Sequence, residues 1–429
     1  MNRCRIFSGA VLLGLLLGSA VSISSELQPR PNVLFILTDD HRWDALGCYG
    51  NAVLRTPNFD KLAADGARLD AFYVAAPLCC PSRAAFLTGL YPHQSGVVSN
   101  ANQPDLPRGI ATVATYLNEA GYSTGFVGKA HMGGNPHRWG FRECPVWLPE
   151  GASPHYDPKL RSDGEGRKTE GYITQIFADA AIEFLEKHKK DTWFLWFATT
   201  APHTPYYNDP NHTYTKAEIT SPPGWPKGEK LSGKDWVGYY STISMLDEQV
   251  GRVLKKLDDL GLAENTFVFM AGDNGFMLGS HGYYKKEQWY EESTRVPALA
   301  RWPGKIQPGT KVASPAVSVD FLPTVLDIAG VGKPKGLEGV SLLPALTGGK
   351  PARTMAYSEV QREPREGGGY WQMVRNERWK YVKFREGEEY LYDLAKDPSE
   401  LKDLATSEKH AGVLTQMRQM FDKWIEATR

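Results

Sequence analysis

Two pairs of oxygen donors stand at the ends of apolar runs: Asp39-Asp40 after Val33 to Leu37, and Asp273-Asn274 after Thr266 to Met270. Donors at the C-terminal ends of neighbouring strands in an open α/β sheet converge on one crevice, and an all-oxygen set suits a hard cation such as calcium or magnesium. Alone, Asp39-Asp40 reads more simply as a helix or turn cap; its recurrence at a second strand end favours a metal site. A second cluster is Cys79-Cys80-Pro81-Ser82-Arg83, followed by Ala84 to Leu87 and Thr88-Gly89. It reads as a loop entering a helix, whose free amides can face an anion or an ionised nucleophile. Arg83 can reach back over that turn as a charge clamp. On the residues alone, Cys79 or Cys80 is a candidate thiol nucleophile, without an adjacent His to activate it.

Cys79-x-Pro81-x-Arg83 with Thr88-Gly89 resembles the signature of the type I sulfatases, in the alkaline-phosphatase-like superfamily. The resemblance runs from Asn32 to about Leu404. Lys129-Ala130-His131 is similar to the family's Lys-x-His pair, and Pro202-His203-x-Pro205 to its central histidine loop. Lys286 with Tyr290-Glu291, Arg295 and Pro297, and Leu391 to Leu394 with Asp397-Pro398 and Glu400, resemble its later blocks. In one place the chain departs from a common pattern: Leu278-Gly279-Ser280-His281-Gly282 stands where Leu-Gly-Glu-His-Gly is frequent. Ser280 lacks that carboxylate, which bears on the substrate rather than on the hydrolytic core.

The resemblance implies that a formylglycine-generating enzyme oxidises Cys79 to Cα-formylglycine, with Cys80 at a variable position. It implies a calcium ion, with magnesium the alternative, on Asp39, Asp40, Asp273, Asn274 and the modified Cys79. A sulfate monoester is anionic and resists an anionic nucleophile, so the cation, Arg83, Lys129 and Lys286 must offset its charge. The implied route begins with attack of the formylglycine hydrate on sulfur. His203 and Lys286 help the ester oxygen leave a sulfated enzyme intermediate, and His131 takes a proton from the second hydroxyl as sulfate is eliminated. Candidate substrate contacts are His281, His137, Arg138, Trp139, Tyr206, Tyr207 and Trp289, whose aromatic faces can stack on a sugar or an aryl group. Export would bring an environmental glycan within reach, so a sulfated carbohydrate is the expected substrate. The alternatives are a phosphodiesterase or phosphonate monoester hydrolase of the same superfamily, and a non-catalytic sulfated-glycan-binding protein if Cys79 stays unmodified.

These side chains need a scaffold. The chain has 429 residues, with Lys plus Arg and Asp plus Glu at 49 each. No overall positive field recommends nucleic acid as a partner, and the composition is globular rather than disordered. Arg3 and Arg5, the apolar run Ala10 to Leu17 and the small residues Gly18 to Ser22 follow the order of a secretory signal peptide. We place it at 1–24, expect a mature chain that is secreted or periplasmic and not inserted in a membrane, and leave a Cys48–Cys144 disulfide open.

Apolar runs at Val33 to Leu37, Gly125 to Val127, Trp193 to Phe197 and Thr266 to Met270 alternate with helical periodicity at Asn58 to Ala64, Ile110 to Ala120, Ile173 to Glu186 and Asp235 to Leu260. This predicts an α/β fold, a large mixed β-sheet sandwiched by helices over 25–349, alkaline-phosphatase-like by resemblance. Long loops are expected from Asn135 to Thr169 and from Pro205 to Gly233. Over 350–429, short strands near Thr354 to Val360, Trp371 to Val374, Trp379 to Phe384 and Tyr390 to Leu394, then a helix from Ala411 to Ala427, predict a smaller antiparallel-sheet domain.

Overall fold

A computed structural model describes residues 1, 30–222, 224–226, 233–361 and 369–429 of the protein. Apart from Met1, the leader expected at 1–24 lies outside them.

Strand β1 (Asn32–Thr38) is buried along its whole length, as an unbroken apolar run covered on both faces must be. It lies at the centre of a parallel set with β2 (Ser123–Lys129), β3 (Trp193–Ala198) and β4 (Thr266–Gly272), in the order β4-β1-β3-β2. Alternation along β1 divides the core. Val33, Phe35 and Leu37 join one hydrophobic cluster, and Leu34 and Ile36 join the other, on the opposite face. The helix α1 (Pro57–Ala64), with α3 (Ile173–Lys187) and α4 (Gly233–Asp259), supplies the second cluster, while α2 (Cys79–Thr88) supplies the first through Phe86 and Leu87.

Among the described residues the sheet reaches ten strands. Beyond β4 it continues through Ala298–Arg301, Ala67–Leu69 and Thr310–Val312; beyond β2, through Glu143–Leu148, Lys159–Ser162 and Glu165–Lys168. The last three fall where a long loop was expected from Asn135 to Thr169. Glu143–Leu148 carries the buried run Val146-Trp147-Leu148, a signal that was available, whereas Lys159–Ser162 and Glu165–Lys168 escape a search for apolar runs because they form a short, mostly exposed edge. Their signal is the Asp163-Gly164 turn, where Ser162 pairs with Glu165 and both turn residues have positive φ, 45° and 97°.

The strands β5 (Ala356–Val360), β6 (Trp371–Arg375), β7 (Trp379–Phe384) and β8 (Glu389–Asp393) make an antiparallel meander. Helix α5 (Ala411–Thr428) covers it through Leu414, Met417, Phe421 and Trp424. Their cluster also takes in Tyr73, Ala85, Tyr91 and Trp289, so the small sheet packs on α2 and on segments flanking the large sheet, in a core of its own.

One glycine sets the approach to the site. Gly128 has φ +111°, and a Cβ there would overlap the Ala198 carbonyl of β3. The bare backbone lets the end of β2 close against β3, directly before Lys129.

Candidate active site

The strand ends are tied together before any side chain is considered. Asp273 N donates to Thr38 O at 2.7 Å, and Asp40 N donates to Asp273 Oδ1 at 3.1 Å. Asp40 itself has φ +57°, a left-handed conformation uncommon for a residue with a Cβ, and its carbonyl accepts from Tyr239 OH at 2.8 Å. That bend turns successive carboxylates, Asp39 and Asp40, toward a common centre. Helix α2 begins at Cys79, and Arg83 one turn later returns to the same face. Ligand atoms of Asp39, Asp40, Cys79 and Asp273 thus lie within 4.8 Å of one another, all buried.

Three buried cations stand against those three carboxylates. Lys129 Nζ pairs with Asp39 Oδ2, and Lys286 Nζ with Asp40 Oδ1. Arg83 holds Asp273 Oδ2 through Nε at 2.9 Å and Nη2 at 2.8 Å, with Nη2 also 3.5 Å from Asp39. Its Nη1 donates to the Lys129 carbonyl at 2.6 Å, linking α2 to the end of β2. Burial alone would raise the Asp39 carboxyl, but Lys129, His203, Arg83 and Lys286 together hold it well below the ordinary carboxylate range. Burial opposes the charge on Lys286 too; Asp40 and Cys79 outweigh it and raise that ammonium well above its usual value.

Cys79 Sγ lies 2.9 Å from Lys286 Nζ and 3.5 Å from Asp39 Oδ1. Burial, then the Asp39 charge, pushes its thiol well above the ordinary cysteine range despite Lys129 and Lys286. A plain thiolate is therefore not what this pocket favours. Asn274 donates through Nδ2 to Asp40 Oδ1 at 2.7 Å and presents Oδ1 3.4 Å from Lys286 Nζ. Carboxylates and an amide oxygen around one centre fit a hard cation such as calcium or magnesium.

His203 Nε2 is 3.7 Å from Asp40 Oδ2, while Nδ1 faces the Thr204 carbonyl at 2.7 Å. His131, at φ +58°, is buried, with Nδ1 lacking a hydrogen bond. Burial, reinforced by Lys129, depresses its pKa far below the usual imidazole value, so the ring is neutral. Cys80 points away from the carboxylates, and its thiol donates to the His131 carbonyl at 2.9 Å. Cys48, Cys79, Cys80 and Cys144 are all free thiols, so the Cys48–Cys144 bond is not formed.

The expected substrate contacts divide. Tyr206 packs edge-on to Tyr239, whose hydroxyl holds the Asp40 carbonyl, and Tyr207 lies against His155 and Tyr156. His281 stacks on Tyr290 at 3.7 Å, with Nε2 3.5 Å from Glu292. Trp289 is buried against Tyr390 of the C-terminal sheet. In the loop trio, Trp139 is buried beside Phe126 and donates to Asp105 at 2.8 Å, Arg138 pairs with Asp105, and His137 faces the Phe141 carbonyl.

Sequence reasoning missed two buried residues. Arg42 pairs with Asp44 at 2.8 Å and donates to the Phe276 and Met277 carbonyls and to Ser280 Oγ, joining the loop after β1 to the loop after β4. Ser280, which lacks the expected carboxylate, thus serves as an acceptor for an arginine neutralised by Asp44. The position of Arg42 just past Asp39-Asp40 was the available signal. His155 is buried and its pKa is lowered to about 4, first by burial and then by His203. No spacing in the sequence marks it.

A thiol at a helix start, amid balanced carboxylates and cations at the C-terminal edge of a parallel sheet, defines a hydrolase for an anionic ester. A family model described as "Sulfatase" matches residues 31–331, and one described as "N-sulphoglucosamine sulphohydrolase, C-terminal" matches 279–427. An N-acetylglucosamine-6-O-sulfatase of Bacteroides thetaiotaomicron is 28% identical, aligned over 96% of this chain and 89% of that enzyme. An ulvan-active sulfatase of Formosa agariphila is 31% identical over 87% of this chain and 77% of its own length. A solved structure of a protein in complex with its substrate D-glucosamine-2-N,6-O-disulfate superposes with a TM-score of 0.84, at 27% identity, covering 93% of this chain and 98% of that one. The chain belongs to the sulfatase family and is a sulfuric-ester hydrolase. Among the described residues, no helix is long and apolar enough to cross a membrane.

Proposed function

We propose that this sulfatase removes sulfate monoesters from carbohydrate, with 6-O-sulfated hexosamines the leading substrates, through Cys79 after its conversion to formylglycine by a dedicated maturation enzyme. The observation that most supports this reading is the charge balance around Cys79, three buried carboxylates against Arg83, Lys129 and Lys286. A dication on Asp39, Asp40, Asp273 and Asn274, which we assign as calcium, would supply the positive potential that draws an anionic ester and stabilises its oxygens. The formylglycine hydrate supplies the attacking hydroxyl that a protonated thiol cannot. The sugar assignment rests on the relatives that act on 6-sulfated amino sugars.

The chain's own groups do the rest. Arg83 fixes Asp273 and the Lys129 carbonyl, holding α2 in register with both strand ends. Lys129 keeps its ammonium against Asp39 and adds to the field on the sulfate. Lys286 and His203 stand on the leaving side: one proton passes from Lys286 to the departing ester oxygen, and His203 hydrogen-bonds it; contacts of 2.9 Å from Lys286 to Cys79 and 3.7 Å from His203 to Asp40 support that role. His131, neutral in its buried position, accepts the proton that residue 79 releases when sulfate departs. The basic start and apolar run of the leader support export to the periplasm or beyond.

The test is turnover by formylglycine-bearing protein on N-acetylglucosamine 6-sulfate, N-acetylgalactosamine 6-sulfate, a steryl sulfate and a phenyl phosphonate. Preference for a 6-sulfated sugar is expected. A dominant phosphonate or steryl sulfate activity would overturn the assignment.

A further inference from the structure

The segment that brings Lys286 to Cys79 is held from behind by the C-terminal sheet. Glu287, next in the chain, is buried and has φ +77°. A glutamate keeps such a conformation only where its surroundings over-determine it. Its carbonyl accepts a hydrogen bond from Trp371 Nε1 at 2.9 Å, and Trp371, on β6, is only 1% exposed. Further on, Trp289 Nε1 donates to Tyr392 OH at 3.3 Å and its ring stacks on Tyr390. The segment's end is clamped as well. Glu291 N donates to Glu400 Oε2 at 2.7 Å; Lys380 Nζ meets Glu400 Oε1 at 2.7 Å and Glu291 Oε1 at 3.3 Å. These anchors all come from β6, β7, β8 and the turn after them.

We propose that Trp371 is a positioning residue for Lys286: by holding the Glu287 carbonyl, its indole N–H sets where the Lys286 ammonium stands over residue 79. The Lys380–Glu400 pair fixes the far end of the same segment. This rests on the reading of Lys286 as a proton donor to the leaving oxygen. Without the indole donor, the Glu287 carbonyl loses a buried partner, and one of the constraints on its positive φ is removed. The lysine's Cα then moves, while its charged end is still drawn to Asp40. Proton delivery is sensitive to such a shift, since a displacement of about 1 Å can cost roughly 100-fold in rate.

The experiment is a double-mutant cycle of Trp371→Phe and Lys286→Ala in the full-length modified enzyme. It is read as kcat across aryl sulfates of rising phenol pKa, with melting temperatures recorded alongside. Phe retains a buried aromatic ring and removes the N–H. Trp371→Phe is expected to slow poor leaving groups by about 10- to 100-fold while sparing good ones, and to add little once Lys286 is gone. A uniform loss across the series, or losses that multiply in the double variant, would overturn the proposal. A Lys286→Ala enzyme whose leaving-group dependence is no steeper than that of the native enzyme would overturn the functional reading of Lys286 instead, leaving the cycle's coupling to decide whether Trp371 acts through it. If Trp371→Phe does not fold, Glu400→Gln replaces it in the cycle, with the same pattern expected and the same additivity overturning the claim.

Discussion

At Cys79 a buried thiol faces Lys286 Nζ at 2.9 Å and yet stays protonated, because burial and Asp39 outweigh the cations around it. On the proposed mechanism its sulfur is replaced by a hydrated aldehyde, and that separates it from its neighbour. Cys79→Ser is expected to lose about 1,000-fold or more in turnover, since one hydroxyl offers no route to expel sulfate. Cys80→Ser is expected to keep most of its activity, because Cys80 only donates to the His131 carbonyl, a bond that a serine hydroxyl can make. Steady-state kinetics on both purified variants checks this; a dead but folded Cys80→Ser beside an active Cys79→Ser would reverse the assignment. Cys79, Arg83, Lys129, His203 and Lys286 were legible in the sequence because short motifs carry them. His155 and the clamp on Glu287 were not, because nothing in local spacing reports a contact made across the fold.

The elements hold these residues through backbone details that can be tested singly. Gly128→Ala places a Cβ against the Ala198 carbonyl at φ +111° and is expected to cost about 1–3 kcal/mol in stability, with activity falling because Lys129 follows directly. Chemical denaturation with parallel kinetics measures both. Helix α1 has no side-chain cap of its own; Asp247 of α4 accepts from Asn58 N at 3.1 Å and Phe59 N at 2.7 Å instead. Asp247→Ala should therefore destabilise the protein by about 1–2 kcal/mol. Burial pushes that carboxyl up to about 6 despite the Phe59 and Asn58 donors, so the folded state binds its proton more tightly than the unfolded chain. Its contribution is full below about pH 4 and is lost as pH rises through 6. Melting temperatures across that window should show the decline in the native protein and its disappearance in Asp247→Asn. The central strands and long helices were legible from apolar periodicity, whereas the edge strands Lys159–Ser162 and Glu165–Lys168 were not, since a mostly exposed edge carries no apolar run.

For the molecule as a whole, large apolar clusters on both faces of the main sheet support a site whose charges already balance, so the proposed ion is expected to serve chemistry more than folding. Chelation is expected to abolish turnover while leaving the circular-dichroism spectrum unchanged and lowering the melting temperature only modestly; unfolding at the same chelator concentration would make the ion structural. The larger architecture was legible because an alternating pattern of buried strands and helices admits few arrangements. The dependence of the Lys286 segment on the C-terminal sheet was not, because Trp371 and Glu400 look like ordinary packing residues until Glu287 and Glu291 are seen beside them. The claim on which the rest depends is that residue 79 is the formylglycine nucleophile. Peptide mass analysis of active protein from a host that performs the conversion tests it most directly: the Cys79 peptide should be lighter than the unmodified sequence by about 18 Da, and full activity in protein whose Cys79 peptide carries only the native thiol would overturn it.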